Sequence, residues 1–388
     1  MQRESTMPLL VNVFLRGAAD GLSLLVPVSE QAYYAARPTQ AVASSDAIDV
    51  GLDGFGLHPA ALRIAELTRA GRVAVVPAAG YVGQTRSHFQ SQAILETAVD
   101  DDGAPDAGAG LGWLARLLDA GSSDDAAPFR GVAVGSVSVP PSMWGSNDTL
   151  GVPAPAALRL GTLRPARRRR SSYQVLDSSL TPDPSALRTA WDGAQGLPVV
   201  TSNGVSASFD VLDRLADEPI PDRGSDSYGD GPTAATFAAA SAVIDAGLGT
   251  EVVQIDLGGW DTHRAQGSTD GTFAALVSEL DVGLGELVAR HGGHGAGLVI
   301  SVMTEFGRRV QENASGGTDH GCGGLALVIG DGVAGGLHGT WPGLTDLDDG
   351  DVRAVNDLRV VQSEVASHVF GATVPMPSGA SPLGIFTP

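Results

Sequence analysis

The chain has 388 residues, 43% of them hydrophobic, and a formal net charge of −20. That length supports one large domain or two ordinary ones with a substantial core. The acidity excludes a general binder of nucleic acid or of anionic membranes, because long-range repulsion opposes both encounters. The 24 basic residues are all arginine, and the single cysteine, Cys322, excludes an intrachain disulfide. No apolar run approaches the roughly 20 residues needed to span a bilayer. The N-terminus lacks the basic, apolar and small-residue segments of a signal peptide. The chain as numbered is therefore expected in the cytoplasm, or in the periplasm or outside the cell if an export signal has been removed.

Short apolar runs rich in Val, Ile and Leu predict strands, in chain order, at Leu9–Leu15, Val73–Pro77, Val132–Val134, Val252–Leu257, Leu298–Met303 and Leu325–Ile329. Between them lie helical patterns at Pro59–Ala70, at Phe273–Arg290 and at Asp357–Phe370; in the second, Leu276, Leu280, Leu284 and Leu287 recur at three- and four-residue spacing. Strands that are apolar throughout and alternate with helices imply an α/β three-layer sandwich around a mostly parallel central sheet. The proline-rich segment from Pro140 to Pro232 breaks this rhythm and is expected to be a cap or excursion within a single domain spanning residues 1–388. The Asp/Gly/Ala stretch at Asp100–Ala109 reads as a solvated loop.

In open α/β sheets ligands bind beyond the carboxyl ends of the strands, so the residues just after each strand decide the site. After the first strand comes Arg16-Gly17-Ala18-Ala19-Asp20-Gly21, and after the second Gln84-Thr85-Arg86-Ser87-His88. The fourth is followed by Asp261-Thr262-His263 and the fifth by Thr304-Glu305-Phe306-Gly307-Arg308, while Asp319-His320 lies just before the sixth. Carboxylate with imidazole is the ligand mixture of a divalent metal site, and two Asp/His pairs on strand-associated loops are costly without a shared partner. Each residue also has a bland reading: Asp20-Gly21 as a turn, Ser87 as a helix cap, Glu305 with Arg308 as an ion pair, and His58, His88 and His338 as structural histidines. His291 and His294 fit a helix C-terminus, and Cys322 fits a small packed residue. The basic run Arg167–Arg170 reads as a solvated loop, or as a docking patch.

Together these motifs resemble the bacterial family DUF1501, a branch of the alkaline phosphatase and sulfatase superfamily. The resemblance is carried by Phe14-Leu15-Arg16-Gly17-Ala18-Ala19-Asp20-Gly21, Gly56-Leu57-His58-Pro59, Thr85-Arg86-Ser87-His88-Phe89, Asp256 to His263, Met303 to Arg308 and Gly317 to Gly321. It implies an alkaline phosphatase-like fold and a metal-dependent hydrolase of phosphate or sulfate esters. One or two divalent ions (Zn, Mn, Mg or Ca) would be held among Asp20, Asp261, His263, Glu305, Asp319 and His320. Ser87, or alternatively Thr85, would be the nucleophile, with Arg86 or Arg308 binding ester oxygens. The implied partner is a small anionic ester, not a nucleic acid. Two departures stand out: the Asp-Thr-His spacing is short, and Phe306 occupies a position where a liganding His is usual. They keep open a second expectation, a non-catalytic metal-binding or scaffold protein on the same fold.

Overall fold

A computed structural model describes residues 8–81, 83–98, 111–120, 129–135, 138–146, 148–152, 227–293 and 297–387. The first strand, β1 (Leu9–Leu15), runs into the one-turn helix α1 (Gly21–Leu24). Around α2 (Gln31–Ala36), the short strands β2 (Leu25–Val26), β3 (Ile48–Asp49) and β4 (Gly56–Leu57) form a small antiparallel sheet. Next come α3 (Leu62–Arg69), β5 (Val73–Gly80), α4 (His88–Thr97), α5 (Trp113–Ala120), β6 (Gly131–Val134) and β7 (Thr149–Val152). The C-terminal half continues with α6 (Pro232–Asp245), β8 (Val252–Leu257), α7 (Gly271–His291) and β9 (Leu298–Thr304). It then forms the hairpin β10 (Arg308–Glu312) and β11 (Thr318–His320), followed by β12 (Gly324–Gly330), β13 (Gly336–Leu337), β14 (Asn356–Asp357) and α8 (Leu358–Phe370).

Among the described residues nine strands make one sheet in the order β13-β5-β12-β9-β1-β8-β6-β7, with β14 also beside β5. Every pairing is parallel except those of β12, which is antiparallel to both β9 and β5. All six expected strands are present, and the expected sandwich with a mostly parallel sheet is what they build. Alternate residues of β1 feed two separate cores. Leu9, Val11, Val13 and Leu15 pack with α3, α6 and α7, whereas Leu10 and Phe14 pack with α4, α5 and α8. Burial on both faces is why these strands read as unbroken apolar runs instead of alternating ones.

The reversed direction of β12 has a functional consequence. Because it runs against its neighbours, the residues before its first residue lie at the edge where β1, β8 and β9 end. The β10–β11 hairpin spans that edge, so His320 reaches the site by the returning loop, as the order of motifs implied. The segment from Pro140 to Pro232 is described only at its ends: β7 pairs with β6, and α6 begins at Pro232. Residues 153–226, Arg167–Arg170 among them, lie outside the described residues, as do residues 100–109 and His294. Among the described residues no helix is long and apolar enough to cross a membrane.

A buried ion pair locks this edge. Arg37 and Asp20 are both fully enclosed, with Arg37 Nη2 donating to Asp20 Oδ1 at 3.0 Å and Nη1 to Oδ2. The remaining Arg37 donors reach the carbonyls of Val310 (2.8 Å) and Arg309 (2.9 Å), which ties β10 to the sheet. Burial by itself raises the Asp20 carboxyl, but the Arg37 charge and the hydrogen bonds from Arg37, Gln266 and Ser23 outweigh it and hold the group below its ordinary 3.8. A carboxyl depressed in the folded state contributes stability above its unfolded value and loses it as the pH falls through the folded one. Stability measured by urea denaturation is therefore expected to fall with acid below pH 3.8, and less steeply in Asp20→Asn. Arg37→Met, which leaves the carboxylate buried and unpaired, is expected to cost about 3–5 kcal/mol at neutral pH.

Candidate metal centre

Three loops meet where β1, β8 and β9 end, and glycine makes the meeting possible. Gly17, at φ +118, lies so close to the β8 loop that a Cβ there would fall 2.5 Å from the Asp261 backbone nitrogen. At Gly317 a Cβ would fall 2.2 Å from the His263 carbonyl carbon. Trp260, 1% exposed, anchors the β8 loop by packing edge-on against Phe273 of α7. With the loops fixed, the side chains of His88, Asp261 and His320 form a group whose potential ligand atoms all lie within 4.8 Å of one another. His88 Nε2 is 3.1 Å from His320 Nε2, His320 Nε2 is 3.2 Å from Asp261 Oδ1, and His88 Nε2 is 3.8 Å from Asp261 Oδ1. A fourth group, His263, places Nε2 2.9 Å from His320 Nε2 and 3.0 Å from Asp261 Oδ1.

The outer ring nitrogens settle what these groups present to one another. His88 Nδ1 lies 2.7 Å from Glu305 Oε1, His320 Nδ1 3.0 Å from the Arg86 carbonyl and His263 Nδ1 3.2 Å from Asp319 Oδ1. Carbonyls and carboxylates only accept, so each neutral imidazole carries its proton on Nδ1, an assignment made from the partners. The three Nε2 atoms are then lone pairs, and they converge with a carboxylate oxygen. Four acceptors at these separations repel unless a metal ion, or a proton on one of the ring nitrogens, lies among them. Burial, with the Arg308 charge added to it, lowers the His320 pKa below the usual 6.5 against the raising effect of its bonds to the Arg86 carbonyl and Asp261. Imidazoles with Nδ1–H held by a carboxylate or carbonyl are the arrangement that fixes metal-liganding histidines. The group also fits by size: bonds of 2.0–2.1 Å in a tetrahedral site imply ligand separations of about 3.3 Å, against the observed 3.1, 3.2 and 3.8 Å.

Glu305 supports the centre from beneath. Its side chain is fully buried, and Oε1 accepts from His88 Nδ1 (2.7 Å), Gln92 Nε2 (2.9 Å) and the Gly17 amide (3.0 Å) while Oε2 accepts from Thr304 Oγ1 (3.1 Å). Burial pushes this carboxyl up, but hydrogen bonds from its own backbone amide, Gln92, His88 and the Ala18 amide bring it below 4.5 and keep it ionised. His88, Gln92 and Glu96 recur at four-residue spacing on α4, and Glu96 pairs with Arg16 at the end of β1. One polar stripe thus docks the helix against the sheet edge. Asp319, more than half exposed, steadies His263 and is itself held by Asn313 Nδ2 at 2.9 Å. Phe306 is fully buried, with its ring 4.9 Å from that of His88 and 5.2 Å from that of His320.

Several expected roles are revised by this geometry. Asp20 is not in the group, since Arg37, Ser23 and Gln266 occupy its oxygens. Glu305 and Asp319 orient histidines instead of joining the group directly. His88, expected among the structural histidines, belongs to it; its sequence signal is the polar stripe with Gln92 and Glu96. Arg308 is fully buried and donates to the carbonyls of Ala18, Thr318, Gly17 and Trp260 and to Asp261 Oδ1, which commits its guanidinium to the fold and not to an ester. Arg86 is held by Asp351 and Asp349. Ser87 occupies the N-cap position of α4, yet its side chain caps no amide, whereas the Thr85 hydroxyl donates to Gln90 Oε1 at 3.0 Å. His58 and His338 have both ring nitrogens engaged by backbone groups, of Ser268 and Ala60 for the first and of Leu383 and Ala334 for the second, and play structural parts. Burial raises the Cys322 thiol to about 12, which suits a packed residue and not a nucleophile.

Residues 207–361 match the family described as "Protein of unknown function (DUF1501)". The match covers 155 of the 388 residues. The segment includes Asp261, His263, Glu305, Arg308, Asp319 and His320; the motifs holding Asp20 and Ser87 precede it. No curated protein matches the chain. Among solved structures, Ps i-CgsB in complex with k-i-k-neocarrahexaose is similar at 12% identity and a TM-score of 0.42, over 95% of this chain and 73% of that one. A structure described as a 2-O GAG sulfatase is similar at 9% identity and a TM-score of 0.36, over 98% and 74%. A putative sulfatase from Bacteroides thetaiotaomicron gives 10% identity and a TM-score of 0.37, over 97% and 74%.

Two substitutions test the centre through metal content alone. His320→Ala removes a lone pair shared by three neighbours and is expected to abolish stoichiometric zinc in protein purified without chelator, measured by elemental analysis. Glu305→Gln leaves the group intact but releases His88, and is expected to weaken zinc binding about 10–100-fold by calorimetry.

Proposed function

We propose that this protein is a metal-dependent hydrolase of phosphate or sulfate esters, with Ser87 as nucleophile. The observation that carries the reading is the convergence of three imidazole lone pairs and the Asp261 carboxylate, each imidazole fixed from outside. His88, Asp261 and His320 would hold the ion, with His263 beside them. Two imidazoles and a carboxylate favour zinc or manganese over the oxygen-seeking magnesium and calcium. When bound, the ion supplies positive charge that holds the ester oxygens and favours the ionised form of a nearby hydroxyl.

The remaining work falls to this chain's residues. Ser87 lies between Arg86, whose carbonyl orients His320, and His88, so its backbone is pinned to the centre on both sides. Its hydroxyl is free of a capping bond, and the amides that open the ten-residue helix α4 favour negative charge at that position. In the proposed step Ser87 Oγ forms a bond to phosphorus or sulfur as the bond to the alcohol oxygen breaks, and the proton that Ser87 loses passes through solvent to the departing alcohol oxygen. Water then releases the product from Ser87. Thr85 is the poorer candidate, because its hydroxyl is committed to Gln90.

A specific observation supports the second reading, a metal-binding protein without turnover. Asp20 is sealed by Arg37, and Asp261 Oδ1 already accepts from Arg308, so the residues at hand favour one ion and not two. Kinetics against phosphate and sulfate monoesters and diesters separate the readings. The enzyme reading expects Ser87→Ala to lower kcat by about 10³-fold or more while bound metal stays stoichiometric. Fully metal-loaded wild-type protein that turns over none of these esters would establish the binding-only reading instead.

A further inference from the structure

Beside the proposed centre lies a second cluster that the reaction does not use. The turn Asp348–Asp351 closes on itself through two backbone hydrogen bonds of 2.9 Å, with Asp349 at φ +51 and Gly350 at φ +86. It grips two arginines. Asp351, whose side chain is fully buried, accepts from Arg86 Nε at 2.7 Å through Oδ2, and Arg309 Nε lies 3.7 Å from its Oδ1. The Nη2 atoms of both arginines converge on one further atom: Arg86 Nη2, itself 2.7 Å from Asp351 Oδ2, donates to Asp349 Oδ2 at 3.0 Å and Arg309 Nη2 donates to the same oxygen at 3.2 Å.

The two carboxylates differ in kind. Asp351 is enclosed and fixes the near edges of the arginines. Asp349 is 74% exposed, while Arg86 and Arg309 are about one-third exposed. Ion pairs this open to water contribute little and exchange readily. Two guanidinium groups arriving from separate segments and held at fixed spacing suit an oxyanion, which each can meet with parallel donors. Arg86 and Arg309 are matched in number by Asp349 and Asp351, so the seat becomes cationic only when Asp349 swings away, and such a seat in a chain that carries −20 needs its own explanation. Its place supplies one: the Arg86 carbonyl accepts from His320, and Arg309 follows Arg308, which holds Asp261.

We propose that Arg86 and Arg309 form an oxyanion subsite next to the catalytic centre, in which Asp349 is an internal stand-in for a second anionic group of the substrate. The proposal rests on reading the neighbouring centre as an ester site, and it narrows the substrate to a molecule with at least two anionic groups. Asp351 is the positioning residue, and Asp349 is the gate that a substrate anion displaces.

Calorimetric titration of the metal-loaded protein with inorganic sulfate at constant ionic strength tests the subsite without requiring turnover. Sulfate held at the centre itself is common to all variants and cancels in the comparison. Asp349→Asn removes the competitor and is expected to tighten sulfate binding about fivefold. Arg309→Gln is expected to weaken it about tenfold or more. Asp346→Asn makes the same charge change at a residue 68% exposed that pairs with Arg353; it should leave the affinity unchanged. Unaltered affinity in Asp349→Asn, or equal tightening in Asp346→Asn, would overturn the subsite. Either result leaves the ester hydrolysis of the metal centre a separate question, since that is read from turnover and Ser87→Ala.

Discussion

One buried guanidinium sets the geometry on which the site depends. Arg308 touches the loop after β1 through Gly17 and Ala18, the loop after β8 through Trp260 and Asp261, and β11 through Thr318. A charge with no exposure to water is costly unless its donors are met, and here they are met by carbonyls from three chain segments. The segments are thereby forced into one arrangement. Asp261 and His320, 59 residues apart in sequence, face each other because Arg308 holds both of their loops.

The centre then arises from a hierarchy of hydrogen bonds. Glu305, Asp319 and the Arg86 carbonyl take the outer protons of His88, His263 and His320, so in their neutral forms the three rings turn bare Nε2 atoms inward. Arg308 offsets part of the Asp261 charge but gives nothing to the imidazoles. The structure thus maintains a concentration of acceptors that is unfavourable by itself, while keeping it rigid by burial of Phe306 behind two of the rings. The neighbouring arginine pair repeats the logic with opposite sign, with two fixed cations sharing one exposed carboxylate.

Much of the fold was legible in the chain. Doubly covered strands produce long Val/Ile/Leu runs, and all six strands read from such runs are in the sheet. The short strands β7, β13 and β14 carry no such run, because an edge strand of two to four residues has too few side chains to show a period. The direction of β12 was also hidden, since a fully buried strand looks alike either way round. At the site, the loops were legible and the ligand shell was not. Asp20 and His88 both sit beside glycine or serine at strand-associated turns, and nothing local distinguishes them. Asp20 is claimed by Arg37, 17 residues on, and His88 by Glu305, 217 residues away. Only the tertiary partners decide which one faces the centre. The four-residue spacing of His88, Gln92 and Glu96 was the one local clue, and it reads as a solvated helix face until the sheet edge is in place.

The most direct test is an anomalous difference map from crystals of the protein loaded with zinc. The account predicts one strong peak in bonding contact with His88 Nε2, Asp261 Oδ1 and His320 Nε2, with the Asp20–Arg37 pair undisturbed. A peak at Asp20, or no peak at the three-residue group at full zinc loading, would contradict it.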